Sequence, residues 1–317
     1  MAVATGAKFK LYAMEETTEG VAPTGNWGQL PCMSFELAGQ QSLTQDQVLS
    51  SASGRDAGLP FLDGVQTVAG DAKVPIDSVH FGRWLKMLMG TAVESGSGPY
   101  THVFTSGALT ISSYSFEKAF PNIGAFYHDL GARAGGFTIT TAPTGASEAT
   151  INLMALQEPP ATSATIAGTP VVTPYRRFMA PSGSVKRNGT ALAGITGGSI
   201  TFSNNIDAAI ALRSDNRVEA MDYGQATGGG SLTLRFSGTE GVDADAFAAT
   251  PSSVEYDLVL DANTSLSFLY PQCWFKPVGP AIQGPGAITR DFSFIAGNDG
   301  TAPGLLVVTL RNGVAGY

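Results

Sequence analysis

Three histidines, His80, His102 and His128, are the only side chains in this 317-residue chain whose ordinary titration falls near neutral pH. None stands in a spacing that would activate a nucleophile. There is no Gly-x-Ser-x-Gly elbow, no His-Glu-x-x-His and no phosphate loop ending in Lys-Ser/Thr. Gly228-Gly229-Gly230-Ser231 is rich enough in glycine to approach a phosphate, but it opens a strand and so lacks the helix N-terminus that phosphate cradles use. Asp215, Glu219 and Asp222 carry oxygen ligands without the dense alternation of a calcium loop. Asp243 and Asp245 fit the first turn of a short helix, where the dipole favours anions. Cys32 and Cys273 are too few and too far apart for a disulfide framework or a zinc cluster, and read as small buried hydrophobes. His80, in the first turn of a helix, reads as a partly exposed polar residue. The sequence therefore predicts no catalytic centre, no metal and no cofactor.

Composition points the same way. Net charge is −8, with 8 Lys+Arg against 14 Asp+Glu in residues 1–165 and 10 against 12 in residues 166–317. Neither half is basic, so neither carries the electrostatic footprint of a nucleic-acid binder. Arg176-Arg177 and Lys186-Arg187 are too small to reverse that balance. Charged residues make up 14% of the chain, well below the usual ~25%. Such sparse charge suggests a surface largely covered by neighbours. Residues 1–10 show no positive region followed by an apolar run, so no secretory leader is expected, and no apolar run approaches the ~18 residues of a membrane helix.

Short β-branched and aromatic runs broken by Gly, Pro, Asn and Asp mark an all-β chain. The length and patterning predict two modules. Ser34–Leu37 aligns with Ser199–Phe202 at an offset of 199 − 34 = 165, and Val74–Asp77 with Leu234–Ser237 at an offset of 160. The closing strands Phe137–Thr141 and Thr150–Leu156 align with Asp291–Ala296 and Leu305–Arg311. Residues 1–30 read as an N-terminal arm, 31–160 as the first module, 161–174 as a linker and 175–317 as the second module. The arm holds a short strand over Lys8–Tyr12 and a turn-rich segment ending in Trp27, which must pack either on its own chain or into a neighbour. Val79–Met89 has helical apolar spacing, with Ser78 as N-cap and Gly90 as C-cap. Val242–Ala249 is a second, shorter helix. Gly70 suggests a bulge and Gly131–Gly136 a turn. Gln40–Leu62 and Ser203–Gly230 are long polar stretches of a length that implies function or ordering by a neighbour.

Glu16, Gly20-Val21-Ala22-Pro23, Trp27 and Leu30-Pro31, then a polar loop with Arg55 and a Gly64…Gly70 strand, resemble the start of the tail tube (major tail) proteins of long-tailed bacteriophages. The strand–helix–strand order around Val74–Gly90 and the alternating strands ending in Leu305–Arg311 resemble the same family. The resemblance implies a mainly β fold of two tandem β-sandwich or barrel-like modules, each with a short flanking α-helix. It implies a structural virion protein without enzymatic activity. Its copies would form rings, pseudo-six-fold from three two-module chains, stacked into a tube that conducts the genome. Its partners would be itself, the tape measure, tail terminator and distal tail proteins, and phage DNA passing without specific binding, with no membrane. Assembly would take place in the host cytoplasm and the product would reside in the virion tail. On that reading one polar strand face lines the lumen, with Ser34, Glu36, Thr138, Thr140, Ser199, Thr201, Ser231, Thr233, Asp291 and Ser293 as candidates. Val21, Pro23, Trp27, Arg55, Asp56, Arg213, Asp215 and Arg217 are candidates for contacts between subunits. The alternative is a secreted or surface β-sandwich adhesin or carbohydrate-binding protein.

Overall fold

The computed structural model describes residues 3–47, 58–236, 242–282 and 284–317, the side chains of residues 63 and 244 excepted. The fold is mainly β. In chain order the elements are β1 (Lys10–Glu15), β2 (Gly28–Leu30), β3 (Ser34–Phe35), β4 (Ala38–Gln45), β5 (Pro60–Pro75), α1 (Phe81–Met89), β6 (Val93–Ser95), β7 (Tyr100–Thr105), β8 (Tyr114–Phe120), β9 (Ala125–Thr141) and β10 (Glu148–Ala155). They continue with β11 (Gly183–Arg187), β12 (Thr190–Ala191), β13 (Ile195–Ser203), β14 (Ile206–Ala209), β15 (Ala220–Tyr223), β16 (Thr227–Arg235), α2 (Val242–Ala248), β17 (Ser252–Asp261), β18 (Thr264–Phe275), β19 (Thr289–Ala296) and β20 (Val307–Asn312).

Every strand pairing is antiparallel. The first half of the chain lays its strands side by side as β4-β5-β10-β9-β8, and the second half as β13-β16-β19-β18-β17. Strand for strand, β9 occupies the place of β18 and β10 that of β19. The order of pairing thus departs from the sequence alignment of the closing strands, because β20 is an addition that continues beside β18. The two orders are joined where β9 pairs with β13. The result is a run of eight neighbours, with β3 and β4 together forming the first: β3/β4-β5-β10-β9-β13-β16-β19-β18.

One face of that run is apolar at every second position, as a half-buried strand requires. Ala72, Ile151, Phe137 and Phe202 stand in one row across four strands, and Val74, Ala149, Ile139 and Ile200 in the next. All eight side chains are buried. Against this face packs α1. Its Trp84 stacks on Phe116 of β8 at 5.7 Å, and its Phe81 meets Phe268 of β18 edge-on at 6.2 Å. A single helix thus fills the core between both halves. Asp77 caps it rather than Ser78: Asp77 Oδ1 accepts the N–H groups of Val79 (2.7 Å) and His80 (2.6 Å). Gly90 ends it as expected, at φ +83° with its N–H on the carbonyl of Lys86.

Several local expectations give way. Gly131–Gly136 does not turn the chain but lies inside the 17-residue strand β9. Gly131 at φ +66° and a register shift opposite Asn152/Leu153 bend the strand as it passes from β8 to β13. Gly70 keeps regular register, and its hydrogen side faces the carbonyl of Glu36, 2.2 Å from where a Cβ would sit. It permits a close strand approach and makes no bulge. The polar stretch after Gln40 is drawn into the β4–β5 pair, and the one after Ser203 into the hairpin β14–β15 and the start of β16. Polar side chains on both faces hid those strands from a period-two reading. His80 is buried, its Nε2 3.1 Å from the carbonyl of Thr173. Cys32 is half-buried, Cys273 is buried, and both are free thiols. Burial pushes Cys32 up to about 11 and Cys273 to about 12, far from a reactive thiolate.

Candidate functional site

The second face of the eight-strand run is where the polar candidates meet. Thr140 of β9 lies opposite Ser199, Ser199 opposite Ser231, and Ser231 opposite Ser293, a row of hydroxyls across four strands. Thr138 pairs with Thr201, and through Thr150 and Lys73 the same row reaches Ser34. Thr233 lies opposite Asp291 and hydrogen-bonds to its carboxylate. Glu36 donates its N–H to the carbonyl of Asp71, which stands beside Asn152, placing Glu36 on this face as well. All ten named positions share one side of one continuous sheet.

The hydroxyls are partly turned inward to the sheet itself. Ser199 Oγ and Ser231 Oγ are 3.0 Å apart, and Thr201 Oγ1 donates to the carbonyl of Gly229 at 3.2 Å. Lys73, the cation of the central rows, is tied to Glu148 at 2.8 Å, and Arg177 reaches the same carboxylate at 3.3 Å. The Lys73 hydrogen bond, against slight burial, holds Glu148 below the usual carboxylate range. Asp71, Thr138, Thr201, Ser203 and Ile295 border a shallow concavity of about 620 Å³ along the face. Among the described residues no three His, Cys, Asp or Glu side chains gather as metal ligands. The concavity offers hydroxyls, amides and one carboxylate, Asp71, which accepts from Asn152 Nδ2. It offers no nucleophile beside a base and no array of free cations for phosphate.

Sequence reasoning missed Asp71, Lys73, Thr150 and Asn152 on this face. The alternation Thr150, Asn152 against Ile151, Leu153 carried the signal. What it could not supply was the register placing those strands between β3 and β9.

The arm folds back on its own chain. β1 pairs with β2 and with β8, and the Glu16 carboxylate gathers four donors. Oε2 accepts from Gly20 N–H (2.8 Å) and Ser113 Oγ (2.7 Å), and Oε1 from Ser115 Oγ (2.5 Å) and Gly131 N–H (2.8 Å). Trp27 is enclosed by Tyr12, Ala119 and Ala167, with its Nε1 donating to the carbonyl of Pro23 at 3.2 Å. Of the two alternatives for this ring, packing on its own chain is the one realised, and that chain takes all of its surface. Val21 is exposed and Pro23 half-buried beside it. Residues 161–174 run along the same region, Thr162 bridging to Phe126 and Val171 to Gly28.

Arg213, Asp215 and Arg217 do converge. Arg213 forks onto both oxygens of Asp215 at 2.8 Å each, and Arg217 Nε adds a contact at 2.9 Å. The Arg213 hydrogen bonds, with Arg217 in support, hold Asp215 far below the usual carboxylate range. Their loop meets β5 where Gln66 N–H reaches the carbonyl of Asn216 at 2.8 Å. Ile210 and Leu212 stand exposed on this loop, and Leu43, Phe61 and Leu62 on the β4–β5 pair. Arg55 and Asp56 lie outside the described residues.

The remaining buried titratable groups serve structure. Lys118 joins Asp129 (3.0 Å), Glu158 (2.8 Å) and the carbonyl of Leu37 (2.7 Å). Glu117 accepts from Thr165 Oγ1 and Ile166 N–H and faces His128 at 3.2 Å. No helix among the described residues is long and apolar enough to cross a membrane.

A family described as phage tail tube protein matches residues 6–296. No curated protein matches the chain.

Proposed function

Because the chain belongs to the phage tail tube protein family, a structural and not an enzyme family located in the virion tail, we propose that its copies close into rings that stack into the genome-conducting tube. The observation carrying this reading is the polar face. Ten small polar or acidic positions align across the sheet; Lys73 among their rows is neutralised by Glu148, and the exposed cations Arg235 and Lys276 stand only towards the far end of the face. Each firm phosphate contact would need a free Lys or Arg, and each would slow a passing duplex. A lumen of hydroxyls and carboxylates lets DNA slide.

The two strand orders serve as tandem modules, residues 31–160 and 175–317, so that three chains make a pseudo-six-fold ring. Eight strands closed on themselves leave room only for side chains. Three chains supply 24, and at ~4.8 Å spacing and ~40° tilt these enclose a backbone circle about 45–50 Å across. Closure also removes sheet edges that would otherwise aggregate.

Contacts between stacked rings fall to the β4–β5 pair with Arg55 and Asp56, the Arg213–Asp215–Arg217 loop with Ile210 and Leu212, and the arm around Val21 and Pro23. The tape measure occupies the bore before ejection, and the terminator and distal tail proteins cap the ends. Assembly takes place in the host cytoplasm.

Thiol labelling of Thr201→Cys tests the orientation. In assembled tubes a small maleimide should react throughout, whereas a protein-sized maleimide should reach only tube ends. Full labelling by the bulky reagent would put this face on the outer wall and end the reading.

A further inference from the structure

Among the described residues, the eight-strand run ends in two edges that no further strand covers. At one end, β3 and the residues leading into β4 use one side for β5. At the other, the last residues of β18 use one side for β19, and beyond the Ser252–Cys273 pair their second side has no partner among the described residues. In the middle of the run the same two kinds of edge are already joined. The first strand of the second half, β13, pairs its outer edge with β9, the strand of the first half that corresponds to β18.

We propose that this internal joint is the pattern for the joint between subunits. The β3/β4 edge of one copy pairs antiparallel with the C-terminal end of β18 in the next copy, as β13 pairs with β9 within the chain. The proposal rests on the tube reading and adds its partner surface and register.

The register follows from backbone pairing alone. In the internal joint Phe202 lies opposite Phe137, and Thr201 opposite Thr138. Leu37 is the counterpart of Phe202 in the first half. Crossing the sheet from Leu37 leads to Gly70, Leu153 and Ala134; crossing from Phe202 leads to Gly228 and, one step beyond the Gly229–Ile295 pair, to Ala296 and Cys273. The residue beside Gly70 on β4 is fixed by the neighbouring pairs Phe35–Ala72 and Ala38–Ala69. Gly229 leads on to Ile295 and Trp274 just as Asp71 leads to Asn152 and Gly136, so Phe275 matches Phe137 and Lys276 matches Thr138. Transferring the joint sets Leu37 against Phe275 on the core side and Glu36 against Lys276 on the polar side.

This register, set by backbone pairing, places an acid opposite a base. Both side chains are exposed, and neither has an ion-pair partner among the described residues. The ladder geometry agrees. Lys276 N–H and Glu36 N–H point to β19 and β5, so by alternation Phe275 and Leu37 direct backbone groups outward. Lys118 Nζ already donates to the carbonyl of Leu37 and Glu158 accepts the N–H of Gly39, so the open stretch of this edge ends at Leu37, which brings only its N–H to the joint. Each copy has one edge of each kind, so the contact is head-to-tail, the kind that forms a ring when its rotation closes.

The transferred register makes Glu36 and Lys276 a non-hydrogen-bonded pair, with Cα atoms ~4.5 Å apart, within disulfide reach. Glu36→Cys with Lys276→Cys, in a Cys32→Ser background, should give covalent oligomers on oxidation of assembled tubes, in a ladder ending at the closed ring. Ser34→Cys with Lys276→Cys, two residues out of register, should crosslink at least tenfold less. Separately, Lys276→Glu should raise the protein concentration needed for assembly on the order of tenfold, and Glu36→Lys with Lys276→Glu should restore it. Normal tubes without the Glu36–Lys276 crosslink, or with the swap no better than the single reversal, would overturn the joint and leave the tube reading standing. No assembly by the unaltered chain would overturn both.

Discussion

Replacing Glu16 by glutamine exchanges one of two acceptor oxygens for an NH2 group and removes the charge. The serine hydroxyls that contact Glu16 can rotate, but Gly20 N–H and Gly131 N–H cannot, and they sit on opposite oxygens. Whichever way the glutamine amide turns, its NH2 faces one of these two backbone donors. One buried N–H is then left without an acceptor, which costs roughly 1–3 kcal/mol, and the surviving bonds lose their charge assistance. Relief from burying a carboxylate offsets part of this. The expected net loss is about 3 kcal/mol. Ser115→Ala, which removes one adaptable donor, should lose only about 1 kcal/mol. Urea unfolding followed by tryptophan fluorescence measures both, with the slope of the transition checked for constancy. The exposed segment between Gly20 and Trp27 should also become more sensitive to proteases in Glu16→Gln. A Glu16→Gln variant within about 0.5 kcal/mol of the native protein would refute the claim that this carboxylate pins the arm to β8 and β9.

Trp27→Ala should lose about 3–5 kcal/mol in the same assay, because the ring is wholly enclosed by its own chain; a loss below about 1 kcal/mol would mean that the arm docks without it. Burial pushes Asp129 up to about 7 against the pull of Lys118, so the folded protein keeps a proton that the unfolded chain has shed. Stability should therefore fall as pH rises from about 4 towards 7, by about 1.4 kcal/mol per unit from this proton, and level off above that range. Asp129→Asn should show a shallower dependence over the same window in urea titrations, and an unchanged slope would contradict the assignment. Gly70→Ala sets a Cβ 2.2 Å from the carbonyl of Glu36, a backbone atom that cannot swing away. It should cost about 2–3 kcal/mol by urea unfolding and weaken tube assembly, since β3 must move off β5.

Alternation along single strands makes the polar face legible in the sequence. Ser231, Thr233 and Arg235 against Leu232 and Leu234, and Asp291 and Ser293 against Phe292 and Phe294, state their faces residue by residue. Strand order was less accessible. The alignment of Phe137–Thr141 with Asp291–Ala296 joined similar patterns, whereas pairing makes β18 the counterpart of β9. An added strand such as β20 leaves no mark in local periodicity. Long-range polar contacts were hidden for the same reason. Nothing near Glu16 in sequence announces Ser113, Ser115 or Gly131, nor does Lys118 announce Leu37 and Glu158. His80 reads as exposed because a helix start beside Asp77 looks solvent-facing, whereas Thr173 and Tyr175, distant in sequence, cover it.

Negative-stain electron microscopy of the purified chain, over a range of protein concentrations, tests the central claim most directly. The account predicts hollow rings at moderate concentration and stacked tubes at high concentration, with averaged end views showing three two-lobed subunits around an open channel. Compact particles without a channel at every concentration would contradict it.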